Sequence, residues 1–225
     1  MTIERSGQLL SSKTPLYENT SGNLLIIKTF IFHNPTTTDA NFILHFIPND
    51  QGLIGTPATQ NIYWNVILKG KESYEISPAM PLILLNLGDS LQANSSIDNS
   101  VNFLLMGREF TDSSSVDSIL RIGQLSTLPQ VIFENPQNSI IYIKTILLHN
   151  TSEDNVIFQI YRVQNDQGAI GSPITSNQYF EVELAGKETF EISPSMPFTF
   201  RLQNDSIQAK ASVDATINYM LLGAN

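Results

Sequence analysis

Histidines and closely spaced carboxylates are the side chains of this sequence that could carry out acid–base or metal chemistry. The chain has three histidines and no cysteine, which excludes thiolate metal sites, disulfides and thiol nucleophiles. His33 and His149 each precede an asparagine, whereas His45 does not. A metal or catalytic site needs histidines that converge with carboxylates from several elements. The sequence shows no such convergence, and it favours histidines at strand ends that bond to loop carbonyls. We therefore predict no metal, no cofactor and no catalytic residue.

A second candidate for chemistry is the pair Glu181 and Glu183, two residues apart in "YFEVEL". Two carboxylates that flank one bond are the arrangement used by glycoside hydrolases. In the other copy of an internal repeat, described below, the same positions hold Asn65 and Ile67, so that copy could not carry out the reaction. We therefore interpret the pair as the solvated outer face of a strand.

The loop sequence "NDQGxIGxP" occurs twice, at 49–57 and 165–173. Its aspartates could lie near a cation, but a calcium loop needs several more oxygen ligands at fixed spacing. Asparagine and aspartate also bond to their own backbone in turns, and glycine supplies positive φ. A structural loop is favoured, and a role in interaction is the alternative. The candidate residues are Asn49, Asp50, Gln51, Gly52, Asn165, Asp166, Gln167 and Gly168.

Two tyrosines are candidates for an exposed binding surface. Tyr63 and Tyr179 precede Trp64 and Phe180, which we predict to point into the core. Because successive side chains of a strand point to opposite faces, the tyrosines are expected to be exposed, where their rings could stack on sugars. Tyrosine is also simply common in strands, which is the structural alternative.

Composition limits the partners of the chain. Its 225 residues include 12 basic and 21 acidic ones, for a net charge of −9. This charge disfavours nucleic acid and anionic membranes as partners. The N-terminal "MTIERSGQLL" lacks the features of a signal peptide, and no apolar run approaches the roughly 18 residues of a membrane span. We expect synthesis in a cytoplasm.

A duplication organises the whole chain. A shift of 116 residues carries "GQL" at 7–9 onto 123–125 and "EISP" at 75–78 onto 191–194, without gaps. This period is too long for a solenoid repeat and fits a duplicated domain. We predict an N-terminal arm (1–6), a first domain (7–110), a polar linker (111–122) and a second domain (123–225).

Each copy has the pattern of β-strands. In "YFEVEL" the apolar residues Phe180, Val182 and Leu184 alternate with polar ones. The "GKE" that follows predicts a hairpin turn, and "NDSIQAKASVDATINYMLLG" predicts a second hairpin. The fold class is all-β: two tandem homologous antiparallel β-sandwich domains, jelly-roll-like or Ig-like, with about seven or eight strands each.

One strand of each copy departs from this alternation. "NLLIIKTFIFHN" and "SIIYIKTILLHN" are apolar on both faces, interrupted mainly by Lys-Thr. A sandwich strand normally shows one face to water. Its outer face is therefore covered, either by the other domain or a neighbouring subunit, or by loops of its own domain.

The sequence resembles the small β-sandwich structural proteins in virions of tailed bacteriophages in the order and pattern of three segments: "NSIIYIKTILLHN", "NDQGAIG" and "NDSIQAKAS". The resemblance covers 138–223 well and 22–107 less well. It implies a non-enzymatic structural protein, with a capsid decoration or cement role as the first expectation. The alternative is a tail, baseplate or fibre component that acts as a carbohydrate-binding receptor module.

The resemblance also implies the partners and the location. We expect contacts with other virion proteins of the capsid or tail, and localisation in the virion after synthesis in the host cytoplasm. Because virion lattices repeat, a homo-oligomer is expected. A trimer would place six sandwiches around one axis.

Overall fold

The computed structural model of the chain describes residues 2–77, 81–84, 86–110 and 118–224. The chain divides into two compact units, Met1–Val116 and Asp117–Asn225. Apart from the 3₁₀ turns Thr59–Asn61 and Thr175–Asn177, the regular structure of the described residues is β-strand, which confirms the all-β prediction. Within these ranges there is no helix with the length and apolar character needed to cross a membrane.

The first unit is built from nine strands in two antiparallel sheets. The strands are β1 (Thr2–Gln8), β2 (Thr14–Glu18), β3 (Leu24–His33), β4 (Ala40–Ile47), β5 (Ile62–Leu68), β6 (Ser73–Ile76), β7 (Leu82–Leu84), β8 (Ser90–Ser95) and β9 (Asn102–Phe110). One sheet has the order β1-β9-β3-β6, and β7 also pairs with β3. The other sheet has the order β2-β8-β4-β5.

The second unit repeats this arrangement strand for strand. Its strands are β10 (Ser118–Gln124), β11 (Gln130–Glu134), β12 (Ile141–Asn150), β13 (Val156–Val163), β14 (Gln178–Leu184), β15 (Thr189–Ile192), β16 (Phe198–Phe200), β17 (Ser206–Ala211) and β18 (Ile217–Ala224). The sheet orders are β10-β18-β12-β15, with β16 also on β12, and β11-β17-β13-β14.

This strand order is that of a jelly roll. The first strand of each unit pairs with the last, and the second strand pairs with the eighth in the opposite sheet. An immunoglobulin sandwich would place its first strand beside its second instead. Strands β15 and β16 pair with successive stretches of β12, so they act as one interrupted strand. The count of nine strands, rather than seven or eight, follows from this interruption.

The predicted arm and linker are wrong where the structure describes them. Strand β1 begins at Thr2 and pairs with β9 from Thr2 to Gln8, so residues 2–6 belong to a sheet. Strand β10 occupies Ser118–Gln124 and pairs with β18 in the same way. Residues 111–117 of the predicted linker lie outside the described residues.

Both predicted hairpins are also wrong. Strands β14 and β15, on either side of "GKE", belong to different sheets, and so do β17 and β18. The turn at Ala185–Glu188 forms as expected, with the Glu188 amide donating to the Ala185 carbonyl at 3.1 Å. It carries the chain from one sheet across to the other. Both sheets bury their inner face in one core, so strands of either sheet show the same alternation of apolar and polar residues. Alternation alone therefore could not distinguish a hairpin within one sheet from a turn that joins the two sheets.

The inward faces predicted from alternation form the core of the second unit. The cluster of buried residues includes Leu184, Ile207, Ala209 and Ala211, with Phe180 and Val182 packed against it. Val213 continues the same alternation in the sequence but is exposed, because β17 ends at Ala211. Burial of apolar side chains at this density is the main stabilising contribution to such a sandwich.

A β-bulge explains part of the two-faced strand. The register of β12 on β18 skips Lys144 between Ile143 and Thr145, and β3 on β9 skips Lys28 in the same way. The bulge shifts the inward face by one residue, from Ile143 to Ile146. In the second unit, three residues outside this core cluster are nevertheless buried: Leu147, Met220 and Leu222. Their counterparts in the first unit are partly exposed: Ile31, Leu104 and Met106.

The crossing turn predicts a glycine effect. A Cβ at Gly186 would lie 2.1 Å from the Glu153 carbonyl oxygen, whereas a Cβ at Gly168 would meet nothing within 4 Å. We expect Gly186→Ala to lower the free energy of unfolding by about 3 kcal/mol, because backbone must move. Gly168→Ala, which bears only the strain of its positive φ, should cost about 1 kcal/mol. Urea denaturation compares the two variants, and equal losses would contradict the close approach.

Candidate functional site

The two "NDQG" loops are tight two-residue turns. The backbones of Asp50 and Leu53 exchange hydrogen bonds of 2.8 and 2.9 Å, and Gln51 and Gly52 between them have φ of 51° and 84°. Positive φ at both central residues defines a type I′ turn. In the second copy, Asp166 and Ala169 close the same turn around Gln167 and Gly168, which have φ of 51° and 88°.

A buried aspartate fixes the first of these loops to a strand that begins 40 residues later. Asp89 Oδ1 accepts hydrogen bonds from the backbone and side-chain nitrogens of Asn49, at 2.9 and 3.0 Å. Its Oδ2 accepts from the backbone and side chain of Asn86, at 2.8 and 3.3 Å. Asn49 in turn accepts from the Gly52 amide at 3.0 Å. We call this arrangement, with its equivalent around Asp205, the Asp lock.

The second unit has the same lock. Asp205 Oδ1 accepts from the Asn165 amide at 3.1 Å, and Oδ2 accepts from the amide of Leu202 at 3.2 Å. The glutamine three residues later adds a second tether in both units. Gln92 Nε2 donates to the Gly55 carbonyl at 3.4 Å, and Gln208 Nε2 donates to the Gly171 carbonyl at 2.9 Å.

The Asp lock gives a structural role to two motifs that recur in both copies of the repeat. "DSLQA" and "DSIQA" supply the aspartate and glutamine, and "NDQGxIGxP" supplies the backbone that they hold. Asp50 and Asp166 take part through their backbones, and both side chains are exposed. Sequence reasoning missed Asp89 and Asp205 as the central groups. The signals for them were the recurrence of the aspartate in both copies and its place just before an apolar strand.

Only one of the two candidate tyrosines is exposed. The Tyr179 side chain is 60% exposed, as predicted, but Tyr63 is 1% exposed, so the prediction for Tyr63 is wrong. The register of β4 on β5 passes from Leu44↔Trp64 to His45↔Ile62, which makes Tyr63 the extra residue of a bulge. Tyr179 occupies the matching bulge between β13 and β14. The bulge breaks the alternation on which both predictions depended. It is the same in the unit where the tyrosine is buried and in the unit where it is exposed, so it does not itself decide the exposure.

Tyr179 borders an open groove at the loop end of the second unit. The groove has a volume of about 570 Å³, and its lining includes Arg162, Gln164, Asn165, Asp166, Ile174 and Tyr179. Arg162 is held in place by a hydrogen bond of 2.9 Å from Nη2 to the Thr199 carbonyl. The groove thus brings the second "NDQG" loop and the exposed tyrosine together, which the sequence did not predict.

Each histidine lies on a strand: His33 on β3, His45 on β4 and His149 on β12. His33 Nδ1 is 2.9 Å from Ser73 Oγ, and His149 Nδ1 is 3.0 Å from Thr189 Oγ1. The expected strand-end position is confirmed for both, but these partners are hydroxyls of a neighbouring strand, not loop carbonyls. Burial, with a smaller effect of the Lys187 charge, lowers the pKa of His149 to about 4. Burial and Lys13 likewise lower the pKa of His45 to about 4.

The carboxylate pair on β14 is engaged by neighbouring amides. Glu181 Oε2 accepts from Gln159 and Gln178 at 2.6 and 2.9 Å, and Glu183 accepts from Asn155 at 2.9 Å. These contacts fit the solvated outer face that we inferred. Across the described ranges, no three His, Asp or Glu side chains are grouped so as to hold a metal ion.

Comparisons with known proteins find similarity of fold only. No family model matches the chain, and no curated protein sequence matches it. The tandem CBM22-1–CBM22-2 domain of Paenibacillus barcinonensis Xyn10C is 8% identical, with a TM-score of 0.33 over 99% of this chain and 86% of that one. The major capsid protein P2 of bacteriophage PM2 is 8% identical, with a TM-score of 0.31 over 100% and 97%. The chain is a tandem of β-sandwich domains with weak structural similarity to these proteins.

Proposed function

We propose that this chain is a non-enzymatic structural protein of a tailed bacteriophage virion, which decorates or cements the capsid by binding its repeated surface. The observation that carries the proposal is the Asp lock. In both units this lock ties the "NDQG" loop by hydrogen bonds to the strand that follows Asp89 or Asp205. The resemblance of the sequence frame to phage virion proteins points in the same direction. A fold alone could host many functions, so the proposal is tested on the particle.

The locked loops present apolar residues to solvent, which supports binding to a protein surface. In the first unit Leu53, directly after the turn, is 72% exposed, and Leu87, just before Asp89, is exposed as well. In the second unit Ile170 and Leu202 occupy these loops and are also exposed. Rigid apolar contacts lose little conformational freedom on binding, which favours affinity.

Immunogold labelling of intact particles tests this proposal. We expect label over the whole head, because a decoration protein repeats with the capsid lattice. Label confined to the tail or its tip would favour the alternative, a tail, baseplate or fibre module that binds a carbohydrate receptor. Particles without any label would contradict a role on the virion surface.

A loop variant gives a more specific prediction. Leu53→Asp together with Ile170→Asp should weaken binding of the purified protein to particles that lack it by about tenfold or more, because charge replaces apolar contact. Leu128→Asp is the matched control, since Leu128 is 74% exposed in a different loop. Co-sedimentation with particles measures both. Equal losses for the loop variant and the control would rule out the locked loops as the contact.

A further inference from the structure

The groove at the loop end of the second unit has the features of a binding site for a polyhydroxylated ligand. Its volume of about 570 Å³ is within the range of small-molecule sites. Tyr179 offers an exposed aromatic ring, and Ile174, another residue of the lining, is also exposed. An aromatic ring with a hydroxyl at its edge binds apolar C–H faces and polar groups together. Sugar rings present both.

Polar groups of the lining supply hydrogen-bond partners. The turn uses the Asp166 backbone, which leaves the exposed carboxylate directed to solvent as an acceptor. Gln164, Ser172 and Ser176 add exposed amide and hydroxyl groups. A lining rich in short polar side chains favours a hydroxylated ligand over an apolar one.

Charge narrows the ligand class. The lining contains one cation, Arg162, and one anion, Asp166, so it has no net charge. The chain as a whole carries −9, which would repel an acidic polysaccharide. The Arg162 guanidinium is also partly satisfied by the Thr199 carbonyl and lies 5.6 Å from the centre of the Phe200 ring. We infer that the second unit binds an uncharged oligosaccharide in this groove, stacked on Tyr179.

The first unit lacks the equivalent features. Tyr63, which corresponds to Tyr179, is 1% exposed. Arg162 is replaced by the buried Phe46, and Gln164 is replaced by Pro48. The two units therefore share the Asp lock but differ in the residues that line the groove of the second unit. This binding site does not depend on the virion role, and it would be present in a protein of either head or tail.

Titration of the full chain with a fixed panel tests the inference. The panel is maltohexaose, cellohexaose, xylohexaose and mannohexaose, with an acidic oligogalacturonate as the charged comparison. We expect saturable calorimetric binding of at least one uncharged hexasaccharide at millimolar concentration and none of the oligogalacturonate. Tyr179→Ala should weaken that binding by about tenfold or more. Tyr142→Ala, which removes a 38% exposed ring elsewhere on the unit, should leave it unchanged.

A second variant keeps the test decisive if Tyr179→Ala is poorly folded. Asp166→Ala removes a lining carboxylate and retains the backbone bonds of the turn, so it should weaken binding while the thermal midpoint stays the same. Absence of binding to every uncharged member would overturn the inference. Binding of the acidic oligosaccharide alone would overturn it, as would equal affinity of wild type and both groove variants.

Discussion

Asp89→Ala is expected to lower the free energy of unfolding by about 4 kcal/mol, and Asp205→Ala by about 3 kcal/mol. Asp89 accepts hydrogen bonds from the backbone and side-chain nitrogens of both Asn49 and Asn86, and it is almost fully buried. Alanine would leave these donors without their acceptor inside the protein. Loss of a partner for a buried donor costs far more than the net contribution of one hydrogen bond. Asp205 accepts from the backbone amides of Asn165, Arg201 and Leu202 at 3.1, 3.4 and 3.2 Å, and these longer distances give the smaller expected effect.

Asp50→Ala is the matched control for this prediction. Asp50 belongs to the same loop, but it is exposed, and the turn uses its backbone. Its replacement should change the free energy of unfolding by less than about 0.5 kcal/mol. Urea denaturation of the three variants measures the differences. A loss for Asp89→Ala no larger than that for Asp50→Ala would show that the lock contributes no stability.

The second large effect concerns pH. Burial lowers the pKa of His149 and of His45 from 6.5 to about 4. Between these pH values the unfolded chain binds a proton at each histidine and the folded chain does not. The stability contributed by each neutral histidine is therefore complete above about pH 6.5 and is lost as the pH falls toward 4. We expect each histidine to account for about 3 kcal/mol of this loss.

His149→Gln should remove one of these contributions. Its free energy of unfolding should change less than that of wild type between pH 7 and pH 4.5, whatever its value at pH 7. His33→Gln is the control at the equivalent position of the first unit, where the side chain is partly exposed. Urea denaturation at several pH values gives the slopes. A slope for His149→Gln equal to that of wild type would refute the buried neutral histidine.

The strand pattern predicted which residues are buried but not which sheet they join. Phe180, Val182 and Leu184 pack toward the core as expected. However, β14 and β15 lie in different sheets, because both inner faces of a sandwich meet in one core and show the same alternation. The pairing of first and last strands that defines the jelly roll joins residues far apart in sequence. Such pairing has no local signal.

The candidate site was predictable in part. "NDQG" correctly indicated a tight turn with positive φ. The lock was not predictable, because Asp89 lies 40 residues from Asn49 and meets it only through the fold. The exposure of Tyr63 was predicted wrongly. Both tyrosines occupy a bulge, where alternation no longer predicts the face, and the same bulge holds a buried ring in one unit and an exposed ring in the other.

The copy number of the chain in purified particles tests the proposed capsid role most directly. Quantitative mass spectrometry against the major capsid protein of the same particles would give this ratio. If the chain decorates the capsid, we expect a constant, small whole-number ratio of its copies to those of the capsid protein in independent preparations. Absence from purified particles, or only a few copies in each, would contradict decoration of the capsid.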